Sequence, residues 1–230
     1  MVAQNGAIRA LLVHSPLVGP STVAPLAEVL ESGGWETTVP DLRTASDSPA
    51  RFCQHAVYSA EAADVVIGHS GAGAFLPAVA DATRAAVTVF VDAVVPPSGP
   101  FFTPSASMVT FLDSLPIADG RLPPWHEWWP ADLLAELVPD ETLRRRITAE
   151  IPQLPRSFYD EAVPLPSQWW TRPTAYVQLS PAYDDERTRA ELWHWPTSRL
   201  AGSHLDLCVL PDLVADQIID LVDRLEHSAY

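Results

Sequence analysis

The fourteen residues from Asp64 to Pro77, Asp-Val-Val-Ile-Gly-His-Ser-Gly-Ala-Gly-Ala-Phe-Leu-Pro, restrict what this chain can fold into more than any other stretch. An apolar run of strand length, Val65–Ile67, passes directly into Gly68-His69-Ser70-Gly71-Ala72-Gly73 and then into an Ala-rich segment that reads as a helix. A serine at so sharp a strand-to-helix turn needs small residues two positions before and two after it, because a larger Cβ collides with the neighbouring backbone; Gly68 and Ala72 meet that demand, and Gly71 keeps the near side open. The turn also sets the Gly71 N–H and the positive end of the following helix beside the serine oxygen. Both stabilise negative charge developing on a substrate carbonyl.

Around this turn the chain alternates strand and helix. Residues 8–13 and 36–39 read as strands, 21–32 as an amphipathic helix ending at Gly33-Gly34, and 51–63 as a helix leading to the Ser70 strand. Residues 86–91 form a nearly continuous apolar run, as expected of a strand covered on both faces. After an interruption the pattern resumes, with strand 174–179, helix 184–192, short strand 198–200 and closing helix 213–225. Such alternation implies a mostly parallel sheet with right-handed crossovers and a site at the C-terminal strand ends. The expected organisation is a core of residues 1–96 and 174–230 interrupted by an aromatic-rich segment, 97–173. That segment holds five of the eight tryptophans, Trp125, Trp128, Trp129, Trp169 and Trp170, with Phe101, Phe102, Phe111, Phe158, Tyr159 and many prolines.

Composition closes off several classes of function. With 230 residues the chain is most simply one domain. A formal net charge of −15 repels nucleic acid and anionic membrane surfaces alike. All basic residues are arginine; the absence of lysine removes Schiff-base chemistry, a phosphate-loop lysine and a pyridoxal phosphate anchor. Cys53 and Cys208 stand far apart, outside any C-x-x-C pattern, and suit buried thiols in a reducing compartment better than a disulfide or zinc site. No metal or cofactor is expected. The N-terminus lacks the charged region and cleavage site of a signal peptide, and no apolar run reaches membrane-spanning length, so the expected location is the cytoplasm. The Arg-, Ala- and Pro-rich composition fits a GC-rich bacterial coding sequence.

At this point the chain resembles the α/β-hydrolase superfamily, within it the compact branch of plant-type methylesterases, hydroxynitrile lyases and small bacterial esterases. The residues that carry the resemblance are Leu11–Pro16, Gly34–Arg43, the Ser70 turn, Val89–Pro96 and Gly202–Leu205, so it covers nearly the whole chain outside residues 100–170. The resemblance implies a helical lid between the two halves of the core, with Phe102, Trp125, Trp128 and Trp129 on the walls of an apolar substrate pocket. It implies a catalytic histidine at His204, after the last short strand, to take the proton of Ser70. His14 and His69 correspond to positions with structural roles, and His126 reads as a solvated lid residue.

Two departures from the family pattern matter. The acid usually follows the penultimate long strand, but there Tyr183 falls at the acid position and Asp184 one later. The end of the preceding strand offers Asp92 instead, and a carboxylate within so apolar a run needs a partner such as imidazole. Asp92 is therefore preferred over Asp184, whose bland reading is a helix cap. The oxyanion hole takes one N–H from the residue after the nucleophile, here Gly71, and one from the loop after the first strand. That loop reads His14-Ser15-Pro16, and proline has no N–H to give. Leu17 after a small shift, or the Ser15 hydroxyl, would have to substitute. The leading expectation is a serine esterase or thioesterase-like hydrolase of a small, largely apolar ester. A lyase or cyclase of specialised metabolism using Ser70 and His204 is the second, and a non-catalytic ligand-binding homologue the third. Whether the chain forms a homodimer is left open.

Overall fold

A computed structural model describes residues 6–60, 62–131 and 133–227. The N-terminal residues on which the signal-peptide reading rests, and residue 61 of the expected helix 51–63, lie outside these ranges. The first half alternates as expected: β1 (Arg9–Val13), α1 (Ala24–Ser32), β2 (Glu36–Thr38), α2 (Pro49–Tyr58), β3 (Val65–Ser70), α3 (Leu76–Thr83) and β4 (Val87–Ala93). Segment 97–173 follows with a short strand β5 (Phe101–Phe102), helices α4 (Ala106–Ser114), α5 (Leu133–Leu137) and α6 (Glu141–Glu150), and β6 (Val163–Pro164), which pairs antiparallel with β5. The chain then completes its sheet with β7 (Thr174–Gln178), α7 (Asp184–Leu192), β8 (Thr197–Arg199), α8 (Asp206–Val209) and α9 (Pro211–His227).

Six strands form one sheet in the order β2-β1-β3-β4-β7-β8, with every pairing parallel. Both faces are covered, and the two-residue strand period sorts the side chains between them. Val87, Val89 and Val91 of β4, with Ala175 and Val177 of β7, pack toward α1 and α9, whereas Phe90 and Tyr176 join the cluster formed with α2 and α3. Helix α9 meets the first face with Val214, Ala215, Ile218, Leu221 and Val222, a 3.6-period stripe that is entirely buried. Each such aliphatic side chain contributes on the order of 1.5–3 kcal/mol by leaving water.

Several element ends depart from the sequence reading for local reasons. The expected helix 21–32 opens as a 3-10 turn, Pro20–Thr22, before α1; Pro25 suits the first turn of α1 because its missing N–H would be unpaired there anyway. The expected helix 51–63 instead runs Pro49–Tyr58, capped by the Ser48 hydroxyl, which accepts from the Arg51 N–H. Strand β4 continues past Val91 through Asp92 to Ala93. Among the described residues no helix is long and apolar enough to cross a membrane.

Two buried histidines tie loops to this frame. His14 Nδ1–H donates to the Ser15 carbonyl at 2.8 Å while Nε2 accepts from the Leu42 N–H at 3.1 Å. His69 Nε2–H donates to the His204 carbonyl at 2.9 Å. Burial pushes His14 down to about 4 and His69 down to about 3, so both imidazoles are neutral in the fold.

Two predictions follow from the packing. A Cβ on Gly73 would lie 1.9 Å from the Val94 carbonyl oxygen, a backbone atom that has no room to yield. Gly73→Ala is expected to cost about 3 kcal/mol or more, read as a lower urea midpoint. The unfolded chain protonates its histidines near pH 6.5, so between there and pH 4 it binds more protons than the fold, and stability falls as pH drops through that window. The His14 shift alone is worth about 3 kcal/mol by pH 4. Urea midpoints at pH 7.5 and 4.5 check this, and equal midpoints contradict it.

Candidate active site

Ser70 closes β3 with φ 57° and ψ −126°, a left-handed conformation that costs a side-chain-bearing residue on the order of 1–3 kcal/mol. The surroundings hold it there. Pairing with β4 shifts between His69 and Ser70, the Ser70 carbonyl accepts from the Val94 N–H at 3.0 Å, and Gly68 lets Leu76 of α3 approach to where a Cβ would sit 2.5 Å from its Cδ2. Gly71 opens the 3-10 turn Gly71–Ala74, so its N–H has no acceptor within that turn. The left-handed serine and the free N–H face one cavity.

The neighbouring strand carries a second left-handed residue one position before its end. Asp92 has φ 42° and is 0 % exposed. Its Oδ1 accepts from the N–H groups of Leu179 at 2.9 Å and Ser180 at 3.0 Å; its Oδ2 accepts from the Ser180 hydroxyl at 2.6 Å and His204 Nδ1–H at 2.8 Å. Burial alone would raise this carboxyl, but the hydrogen bonds from His204 and Ser180 outweigh it and hold Asp92 below its ordinary value. Tyr176 fixes the bend beyond it, its hydroxyl donating to the Ala93 carbonyl at 3.0 Å and accepting from the Ala93 N–H at 3.1 Å. Because a carboxylate only accepts, the proton of His204 sits on Nδ1, leaving the Nε2 lone pair open. Asp184 stands apart from this group and accepts from Gln178 Nε2 at 2.6 Å. Its side chain does not cap α7, so the bland expectation for it is corrected as well.

Ser70 Oγ lies 3.3 Å from the Tyr183 hydroxyl, the one hydrogen bond it makes among the described residues. The Tyr183 ring stacks on His204, with centroids 5.1 Å apart and planes 9° from parallel. A direct bond from Ser70 to His204 is absent among the described residues; in hydrolases such bonds tighten as substrate enters. On the opposite side, Pro16 offers no N–H, and the Leu17 N–H is directed at Ser15 Oγ at 3.3 Å. Ser15 Oγ in turn lies against Gly71, 3.0 Å from where a Cβ would be.

These groups open on a cavity of about 1010 Å³ between the strand ends and segment 97–173, at the upper end of ligand-pocket sizes. Phe102, Trp125, Trp128 and Trp129 line it, with Leu17, Ser70, Gly71, Tyr183 and His204. Trp169 and Trp170 do not; they pack with Phe90, Trp193 and Trp195 under the sheet, because residues 169–171 lead straight into β7. His126 also lies off the cavity wall. Residue-type reasoning missed the roles of Tyr176, Ser180 and Tyr183 in this network. Their one sequence signal is that Tyr176–Tyr183 follows an apolar strand into the loop where an acid is expected. Among the described residues, no group of three or more His, Cys, Asp or Glu is arranged to hold a metal ion.

No protein-family model matches the chain, and no curated protein is similar to it in sequence. Solved structures are similar to it in shape. An extracellular α/β-hydrolase from a Paenibacillus species superposes with a TM-score of 0.73 at 16% identity, over 93% of this chain and 98% of that one. A polyneuridine aldehyde esterase does so with a TM-score of 0.73 at 18% identity, over 94% of this chain and 99% of the other. A tomato methylketone synthase I bound to 2-tridecanone gives 0.67 at 13% identity, over 95% and 99%. The shared parallel sheet, its strand order and these superpositions over nearly the full length establish that the chain has the α/β-hydrolase fold.

Proposed function

We propose that the protein is a carboxylic ester hydrolase acting through Ser70, His204 and Asp92 on a neutral, bulky and largely apolar ester. The observation that carries this reading is the saturated Asp92 carboxylate bonded to His204 Nδ1 beside a left-handed Ser70. Ser70 Oγ attacks the carbonyl while His204 Nε2 takes its proton, and Asp92 stabilises the resulting imidazolium. The Gly71 N–H receives the developing oxyanion. The second donor is a relay: the Leu17 N–H donates to Ser15 Oγ, which frees and polarises the Ser15 O–H for the oxyanion. Once the leaving alcohol has accepted the proton from His204, water repeats the sequence and frees the acid.

The cavity supports the substrate class. Phe102, Met108, Phe111, Trp125, Trp128 and Trp129 form an apolar wall, and segment 97–173 serves as the lid that carries most of it. Two acidic groups, Glu161 and Glu186, and one basic group, Arg189, also line the cavity, so the lining has no excess of positive charge to bind an anionic substrate; burial raises the Glu186 carboxyl, and the Arg189 guanidinium donates to the Val95 carbonyl. Tyr159 also lines the cavity, and its hydroxyl makes no hydrogen bond among the described residues. An ester whose body bears an additional acceptor oxygen satisfies it. One observation favours a second reading, a lyase on the same scaffold. With Pro16 in place of a backbone donor the oxyanion hole is weaker than in an ordinary hydrolase, where a lost donor costs about 2.7–4 kcal/mol.

The test is intact mass after treatment with a fluorophosphonate, followed by a p-nitrophenyl ester assay on the same samples. Labelling that disappears in Ser70→Ala, with ester turnover, supports the hydrolase; labelling without turnover favours the lyase; no labelling counts against Ser70 as nucleophile. Asp92→Asn is expected to lower kcat about 10⁴-fold by losing the imidazole orientation. Asp184→Asn is expected to stay within a few-fold of the parent, and the reverse ranking would reassign the acid.

A further inference from the structure

Tyr183 stands where the resemblance to the α/β-hydrolase superfamily would place the acid, and the Asp92 network leaves that position free for another use. Its hydroxyl is 3.3 Å from Ser70 Oγ, and its ring lies flat against His204. It ends the 3-10 turn Pro181–Tyr183, which starts directly after Ser180, the residue that grips Asp92 through both its N–H and its hydroxyl. One short loop therefore sets the acid and the phenol together. The ring is half-buried at the cavity wall, and burial holds the phenol above its ordinary value, so the oxygen keeps its proton at neutral pH and acts as a donor.

We infer that Tyr183 is a further catalytic residue, whose hydroxyl donates a hydrogen bond to Ser70 Oγ whenever that oxygen carries negative charge. The inference rests on reading Ser70 as the nucleophile. In acylation the Ser70 O–H bond breaks, its proton passes to His204 Nε2, and Oγ bonds to the substrate carbon as the carbonyl π pair moves to its oxygen. That pair then returns, the ester C–O bond breaks and the leaving oxygen takes the proton from His204, while Tyr183 stabilises Oγ as it loses its own proton. In deacylation a water proton passes to His204 as the water oxygen bonds to the acyl carbon. The bond from that carbon to Oγ then breaks, Oγ leaves with the electron pair and recovers a proton from His204, and Tyr183 stabilises its departure. Tyr183 retains its own proton throughout. Its ring covers the face of the imidazole, not its edge, so it does not compete for the in-plane Nε2 lone pair. A donor on this side complements the Gly71 N–H, which serves the carbonyl oxygen and not Oγ.

The test is the second-order rate of Ser70 labelling by the fluorophosphonate in the parent, Tyr183→Phe and Tyr183→Leu, with Ser70→Ala as blank and urea midpoints alongside. A hydrogen bond to a charged group predicts a 10- to 100-fold slower labelling in Tyr183→Phe. The unfolding midpoint of that variant and its KM for a p-nitrophenyl ester should not change. Labelling of Tyr183→Phe within twofold of the parent overturns the inference, and does so equally if Tyr183→Leu is slow, because the ring alone would then matter. A parent that fails to label overturns the nucleophile reading and this inference with it. Should Tyr183→Phe shift the urea midpoint, difluorotyrosine at the same position keeps the shape and acidifies the phenol. It should introduce a new alkaline fall in the labelling rate, and an unchanged pH profile again overturns the inference.

Discussion

A single buried carboxylate organises this molecule. Asp92 sits at the end of β4, wholly out of water, and takes hydrogen bonds from the backbone of Leu179 and Ser180, the hydroxyl of Ser180 and the imidazole of His204. A charge in that position is tolerable only when its lone pairs are filled, and breaking one such pairing typically costs about 3–5 kcal/mol. The need to satisfy Asp92 therefore dictates where the loop after β7 and the loop carrying His204 must lie. The site's geometry is in this sense a consequence of burying a charge correctly, and the tautomer of His204 comes with it.

The strain at the site has the same origin in packing. Adjacent parallel strands β3 and β4 carry left-handed residues at or next to their ends, Ser70 closing β3 and Asp92 one residue before the end of β4, where the shifted register passes over it to pair Ser70 with Ala93. Neither conformation would persist in a loose loop. Each is over-determined, Ser70 by the Val94 N–H and the small residues around it, Asp92 by the Tyr176 hydroxyl that holds both polar groups of Ala93. The apolar sheet supplies the rigidity: its strands are buried on both faces, so the ends have nowhere to relax.

Segment 97–173 has the opposite character. Its helices are short, its contacts to the core mix aromatic with aliphatic side chains such as Leu112, Leu122 and Leu154, and polar anchors add to them, as where Ser21 donates to the Glu150 carboxylate at 2.8 Å through its N–H and 2.7 Å through its hydroxyl. Aromatic walls give large apolar area with few rotamers to order. The strand ends of the sheet carry Ser70 and Asp92, and segment 97–173 carries Phe102, Trp125, Trp128 and Trp129 of the cavity lining.

The alternation of strands and helices, the Ser70 turn and the candidacy of Ser70 and Asp92 were legible in the residues because they depend on local rules, whereas His204 was legible only through the resemblance to a known family. Buried parallel strands are continuous apolar runs, a sharp turn needs glycine and alanine, and an Asp in an apolar run needs a partner. Segment 97–173 was legible only as an interruption, since its short helices and prolines carry too little periodicity. The choice between hydrogen-bond networks belonged to the tertiary structure. Asp92 and Asp184 are equally acidic as residues; what separates them is which one the β4–β7 pairing carries to His204 and which it leaves on Gln178. Tyr183 likewise shows in sequence only as a departure at the expected acid position, not as a neighbour of Ser70. Only the folding of the loop after β7 over His204 sets its hydroxyl beside Ser70, because that contact joins residues 113 positions apart, a separation at which no local pattern leaves a trace.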